Sequence, residues 1–238
     1  MQISQQGQRL AFDNAANLMK RAGVNPGRAI LSQSYLRTEI AMSTSATTYK
    51  FDVVTNDNLN TNYATMQKLN LQDAFIVSQI GFFLFVPPTS ATTTTAIPLS
   101  YPTVGNFSGA AGNFTAAQAI DALSIYNGSL TLNVNQTTIL TGWDLSRHYR
   151  VPTIQQNAAT AIQVGAATAF TAPAHLPFDS LDLSNDGFYP CEPNIVLNGA
   201  KKNDLQISIP SAPATVPTNG RMVLIFRGIL AQNVTTIN

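Results

Sequence analysis

Apolar residues recur every three or four positions near the start of the chain and predict a helix over residues 5–22. Basic residues in its last turn and a glycine at position 23 favour an end there. The apolar stripe consists of Leu10, Ala11, Ala15, Leu18, Met19 and Ala22.

Two roles are open for this helix, because Phe12 lies off the stripe and gives it a second apolar side. It either packs on the rest of its own chain or lies against a partner or a membrane surface. In the second case, the basic side chains of the helix and the turn after it would lie near lipid headgroups. These candidate residues are Arg9, Lys20, Arg21 and Arg28.

Beyond a turn at 25–27, the apolar period changes to two, which indicates β-strands. The most apolar segment, 74–86, predicts one long central strand with a bend at Gly81. Residues 55–71 are polar and predict a long loop, and 115–123 can form a short helix. The other segments with strand signals are 29–42, 48–54, 96–100, 124–134, 138–145, 148–151, 194–197, 205–209 and 222–230.

About a dozen short strands beside one clear helix predict an all-β protein, either a sandwich or a barrel. Segments 129–140 and 194–209 both have the order strand, Asn-containing turn, strand. This repeat favours two related halves, although any two β-hairpins share the pattern.

Charge is scarce along the whole chain. Lys and Arg number 13 and Asp and Glu 12, so that 11% of the residues are charged and the net charge is +1. An ordinary domain has about 25% charged residues. A chain so close to neutral lacks the basic surface that binds nucleic acid, and we expect no sequence-specific nucleic-acid binding. Such a surface suits a protein covered by partners, and a neutral secreted or surface β-domain is the alternative.

Residues with reactive or metal-binding side chains do not form a recognisable catalytic or metal site. The single cysteine, Cys191, excludes an intramolecular disulfide and a Cys-rich zinc site, and we expect a buried structural thiol. His148 and His175 have no partner at metal-ligand spacing, so we expect structural histidines. No nucleotide-binding loop or serine elbow occurs. The sequence therefore predicts no enzyme, no cofactor and no metal.

Two further features have a structural and a functional interpretation. Asp179, Asp182, Asp186 and Glu192 form either a solvated loop or a site for a hard cation. Trp143, within Thr-Gly-Trp-Asp, either anchors a strand end or stacks on a sugar, which keeps a carbohydrate-binding sandwich as an alternative function.

The start of the chain has no basic region followed by an apolar run, so we expect no secretory signal and synthesis in a host cytoplasm. The longest apolar stretch, 80–88, is far shorter than the roughly 20 residues of a spanning helix.

Two strand-rich segments resemble the jelly-roll segments of icosahedral phage capsid proteins. They read YNGSLTLNVNQTTIL…HYRVP (126–151) and CEPNIVLNGAKKNDLQISIP…RMVLIFRGIL (191–230). The similarity is closest to the double jelly-roll major capsid proteins of small lipid-containing phages, such as those of flavobacteria, and covers about residues 28–238. Uncharged Thr- and Asn-rich loops and a helical arm are also typical of that class.

The resemblance implies an all-β jelly-roll sandwich, with two jelly rolls in tandem or one elaborated jelly roll, behind an N-terminal helix. Residues 1–27 would form the helical arm, 28–152 the first sandwich, and 153–238 a second sandwich or completing strands. Copies would assemble as trimeric capsomers into a virion shell with minor capsid or penton proteins, over an internal membrane that the arm can contact. A minor capsid or spike protein is the closest alternative.

Overall fold

The computed structural model of the chain describes residues 5–21, 23, 29–86, 97–99, 121, 124–149, 162–163, 169–170 and 187–234. In these residues the helix α1 spans Gln5–Arg21, and short 3-10 helices span Ser124–Asn127 and Leu145–Tyr149. The strands are β1 Ile30–Ala41, β2 Thr48–Phe51, β3 Ala74–Val86, β4 Ile97–Leu99, β5 Ser129–Val134, β6 Thr137–Asp144, β7 Ile162–Gln163, β8 Ala169–Phe170, β9 Phe188–Asn198, β10 Asn203–Ser208 and β11 Arg221–Gln232.

Most strands belong to two antiparallel sheets. In the first sheet the order is β1-β11-β3, and the far side of β3 pairs with β9 along one part and β4 along another. In the second sheet the order is β2-β10-β5-β6. β7 and β8 form a separate two-stranded ladder.

The two sheets bury one apolar core between them. Strand β10 shows why, because its side chains alternate between buried and half-buried positions, as a strand with one face on a core requires. The largest core side chains come from both sheets: Phe51, Phe75, Phe82, Phe226, Ile80, Leu84 and Leu130. The described part of the protein is therefore mostly β, an antiparallel sandwich with the helix α1 on it, as the apolar pattern predicts.

The central strand β3 spans 74–86 as predicted, but its irregularity lies at Ser78 and not at Gly81. Ser78 has no opposite residue on β11, where the register passes from Gln79 to Val77. The Ser78 hydroxyl donates to the Arg227 carbonyl at 3.0 Å, which stabilises this bulge. Gly81 instead makes room for aromatic rings, because a Cβ there would lie 2.7 Å from Phe188.

Strands from both sides of the predicted boundary at residues 152 and 153 are interleaved. β9 and β11 pair with β3, β11 also pairs with β1, and β10 lies between β2 and β5. The described strands after residue 153 that join the two sheets therefore complete the sandwich begun before it.

Two other local predictions have clear outcomes. The turn between β5 and β6 forms at Asn135 and Gln136, whose φ angles of 51° and 67° fit a two-residue hairpin. The strand predicted at 148–151 is wrong in its described part, which belongs to the 3-10 helix Leu145–Tyr149. Leu145 and His148 are both buried, and their spacing of three matches the period of a 3-10 helix. Most of the short helix predicted at 115–123 lies outside the described residues.

Candidate assembly surface

The outer face of the first sheet, turned away from the sandwich core, is covered at one end by α1. Ala15 and Met19 are buried there against Ala74, Ile76 and Ala231. An amphipathic helix has to bury its apolar stripe somewhere, and here the described members of the stripe, Ala15, Leu18 and Met19, pack on their own chain. The described residues of α1 thus favour the first of the two roles considered for the helix.

The four candidate basic residues have different positions. Lys20 and Arg21 are exposed in the last turn of α1, away from its buried stripe. Arg9 lies on α1 with its side chain outside the described part, and Arg28 lies outside the described residues. No contact described here brings the four together.

The opposite end of the outer face carries an aromatic cluster. Its buried members are Phe83, Phe85, Phe188 and Val223. The Arg227 guanidinium lies 3.6 Å from the centroid of the Phe188 ring, and the Phe83 and Phe188 centroids are 5.4 Å apart. These contacts keep large apolar rings on a sheet face outside the main core.

Next to this cluster, a carboxylate is buried among cations. Glu39, whose side chain is 0% exposed, accepts from Arg37 Nε at 2.7 Å and from Arg221 Nη1 at 2.5 Å. Thr65 donates its hydroxyl to the same carboxylate. Buried charges require such partners, because an isolated ion loses several kcal/mol of hydration.

Glu39, Arg37, Arg221 and Thr65 form what we call the Glu39 cluster. This cluster holds the polar loop 55–71 against the first sheet. The Arg221 guanidinium lies 4.3 Å from the Tyr63 ring centroid, and burial raises the pKa of the Tyr63 phenol. Backbone groups of Arg37 and Gln67 exchange two hydrogen bonds, at 2.8 and 2.9 Å. This cluster is not among the sites predicted from the sequence. Its only signal was two charges, at 37 and 39, spaced on one face of a predicted strand.

A second buried carboxylate, Asp52, holds the start of the same loop. It accepts from Lys68 Nζ at 3.1 Å and from the backbone N–H groups of Leu59 and Asn60. Asp57 accepts from two more backbone N–H groups nearby. The predicted loop at 55–71 is therefore an ordered cover, held by side-chain acceptors where strand pairing is sparse.

A groove of about 1000 Å³ separates α1 from the aromatic cluster. Its walls combine apolar and amide side chains beside one cation. The polar members include Asn14, Gln33, Gln79, Asn194, Tyr35 and Arg227.

The groove borders β1, which is an edge strand. Within the part of the chain that the structure describes, Arg37 near its middle is the one residue of β1 that pairs outward, with Gln67. Among the described residues, none pairs with the outer edge of 30–36, and Ile30 and Tyr35 are 61% and 52% exposed. An uncharged and open strand edge is an uncommon feature of a protein that remains alone, because it can pair with another strand.

Trp143, which is half-buried, and His148, which is buried, form a structural contact. Trp143 Nε1 donates to His148 Nε2 at 2.9 Å, and His148 Nδ1 lies 3.1 Å from the Gly187 carbonyl. Arg147 covers the Trp143 ring at 4.3 Å from its centroid. Trp143 is thus a strand-end anchor with an occupied face, and His148 is the hydrogen-bonded structural residue that its sequence context predicts.

The remaining candidate residues from the sequence are a cysteine, a glutamate, a histidine and three aspartates. Cys191 is buried in the main core, as predicted, and burial raises its pKa to about 11. Glu192 is exposed on β9, whereas His175 and the three aspartates at 179, 182 and 186 lie outside the described residues. Within the described ranges, no His, Cys, Asp and Glu side chains group as a metal site, and no helix is long and apolar enough to span a membrane.

Comparison with models of protein families, with curated proteins and with solved structures finds no match to this chain.

Proposed function

We propose that the chain is a structural shell protein with jelly-roll connectivity, whose copies assemble as trimeric capsomers into an icosahedral virion capsid. The strand order carries this proposal. Without the short β4, β7 and β8, the eight remaining strands, renumbered along the chain, have the order 1-8-3-6 in one sheet and 2-7-4-5 in the other. This strand order corresponds to two interleaved Greek keys, which is the topology of a jelly roll. Viral capsid proteins use jelly rolls widely.

The surface chemistry supports the same proposal. A net charge of +1 keeps repulsion between identical copies small. The open edge of β1 and the groove beside it are features that neighbouring copies can cover, and symmetry repeats each contact around the shell. Under this proposal each copy contributes one sandwich, so that a trimer holds three, whereas the double form would hold six.

The helix fits a role on the inside of such a shell. Because the described part of its apolar stripe packs on its own sheet, contact with a lumen or an internal membrane would fall to its basic groups. Lys20 and Arg21 are exposed for this role, and Arg9 and Arg28 would add to it.

Lectin domains also use jelly rolls, so a carbohydrate-binding module is the second candidate. The observation in its favour is the groove, where the amides of Gln33, Gln79 and Asn194 lie near Tyr35. Amide groups beside an aromatic ring suit sugar hydroxyls and sugar faces.

The solution mass of the full chain separates these candidates. Light scattering across a range of concentrations should find about three times 25.5 kDa, or much larger particles. A mass of 25.5 kDa at every concentration would contradict the shell proposal and favour the carbohydrate-binding module. A glycan screen would then test the groove directly.

A further inference from the structure

We infer that the outer edge of β1, residues 30–36, pairs antiparallel with the same edge of a second copy of this chain, about a two-fold axis at Gln33. This inference deepens the proposed function, and it rests on that function only for its place in a shell. The contact would join the first sheets of two copies into one continuous sheet.

The direction of the backbone groups makes such pairing possible. Arg37 exchanges both of its backbone hydrogen bonds with Gln67, so its N–H and C=O point away from β11. These directions alternate along a strand, so the backbone groups of Leu31, Gln33 and Tyr35 also point outward. Pairing across the two-fold axis would give about six hydrogen bonds between the copies, two for each directly opposed pair.

The side chains of this edge are matched to their own reversed order. The segment reads Ile-Leu-Ser-Gln-Ser-Tyr-Leu from residue 30 to residue 36. With Gln33 at the centre, Ile30 faces Leu36, Leu31 faces Tyr35, and Ser32 faces Ser34 of the second copy. Apolar residues then oppose apolar ones and polar residues oppose polar ones, which is the favourable arrangement for cross-strand pairs.

The length of β1 that can pair outward also limits the register between the two copies. Pairing has to stop before Arg37, because Gln67 already occupies the outer edge there. The segment contains no charge and no proline, which are the usual devices that keep an edge strand from pairing. A second copy is therefore the partner that the edge fits best, since it brings a matching strand whose outer edge also has no partner among the described residues.

Cysteine pairs can test both the contact and its register in the full chain. The inferred register places Ser32 opposite Ser34 in a non-hydrogen-bonded pair, where Cα atoms are about 4.5 Å apart, within the range for a disulfide. Ser32→Cys and Ser34→Cys proteins would be mixed and oxidised mildly. Cys191 does not compete, because it is buried.

We expect the mixture to give roughly tenfold more covalent dimer of twice 25.5 kDa than either variant alone, because only the mixed pair places two sulfurs within bonding distance. Ile139→Cys is the matched control, since Ile139 is 46% exposed on β6, the edge of the other sheet. The inference is overturned if the mixture cross-links no better than either variant alone or than the control.

A proline variant provides an independent readout of the same edge. Gln33→Pro removes an outward N–H and leaves the β1–β11 ladder intact, so the far-ultraviolet circular dichroism should not change. Adding this change to both cysteine variants should abolish the cross-link, whereas Gln33→Thr should keep it. A cross-link that persists with proline would contradict edge pairing.

Light scattering on the same samples separates this inference from the shell proposal. Large particles without the cross-link would leave the shell proposal standing and overturn the edge contact. Cross-linked dimers without trimers or larger particles would support the edge contact and contradict the shell.

Discussion

The space between the two sheets is buried, and the outer face of the first sheet is buried at its two ends, but the chemistry of these regions differs. Between the sheets, the contacts are almost entirely apolar and come from strands of both sheets. On the outer face, aromatic rings lie beside the buried ion cluster of Glu39, and a loop covers them. The stability of the interior therefore depends on close packing and on the removal of apolar surface from water. The stability of the outer face around Glu39 depends on paired charges and directed hydrogen bonds.

The largest effect is expected from the interior. Phe82 is fully buried and makes an edge-to-face contact with Tyr126 at 5.3 Å between centroids. Phe82→Ala should lower the free energy of unfolding by about 4 kcal/mol, because it removes apolar contacts and leaves a cavity. Denaturant titration measures this loss. Phe82→Leu, which keeps most of the volume, should cost under about 1.5 kcal/mol, and equal costs would contradict a tightly packed core.

A somewhat smaller effect is expected on the outer face. Glu39→Gln removes the negative charge that faces the guanidinium groups of Arg37 and Arg221. We expect a loss of about 3 kcal/mol in unfolding free energy, near the low end for breaking a buried ion pair. Glu192→Gln is the matched control, because Glu192 is exposed and its neutralisation should change stability by less than about 0.5 kcal/mol. Similar values for the two variants would show that the ion cluster contributes little.

The third prediction concerns the pH dependence of the free energy of unfolding. It depends on His148, which accepts a hydrogen bond from Trp143 at the edge of the main core. Burial lowers the pKa of His148 to about 4 from an ordinary 6.5. The folded protein therefore binds fewer protons than the unfolded chain between these values, and stability falls as the pH drops from 6.5 towards 4. The total loss from this group is about 3 kcal/mol.

Unfolding free energies measured between pH 7 and pH 4.5 test this dependence. The charged groups near His148 are Arg147, which disfavours its protonation, and Asp144, which opposes that effect weakly. His148→Gln keeps an acceptor for Trp143 and does not titrate, so its pH profile should be flatter than that of the wild type. Parallel profiles for the two proteins would exclude His148 as the acid-sensitive group.

Regular elements were predictable where local pattern and burial agree. The helix at 5–22 and the strands at 74–86 and 222–230 correspond to α1, β3 and β11 within two residues at each end. Their periodicity is strong because each has a stripe or a face packed on a neighbour. The strand predicted at 148–151 failed because the burial of His148 depends on contacts with Gly187 and with Tyr189 of β9, far away in sequence.

The candidate surface was much less predictable. The four basic residues stood out in the sequence because of their type, yet the described contacts of the outer face involve other charges, chiefly Glu39 and Arg221. These two residues are 182 positions apart, and only the pairing of β1 with β11 brings them together. A single sequence contains no signal for a contact of that separation.

The sequence by itself determined the class of this protein. The period-two apolar segments and the one amphipathic helix predict a β-rich chain with a substantial core. The single cysteine and the few charges exclude a disulfide within the chain and a basic nucleic-acid-binding surface. Only the tertiary structure decided how the strands interleave, that α1 packs on its own sheet, and that the outer edge of 30–36 has no partner among the described residues. The reason is physical: periodicity reports which face of an element is buried, whereas the identity of the neighbour depends on long-range pairing that local preferences do not encode.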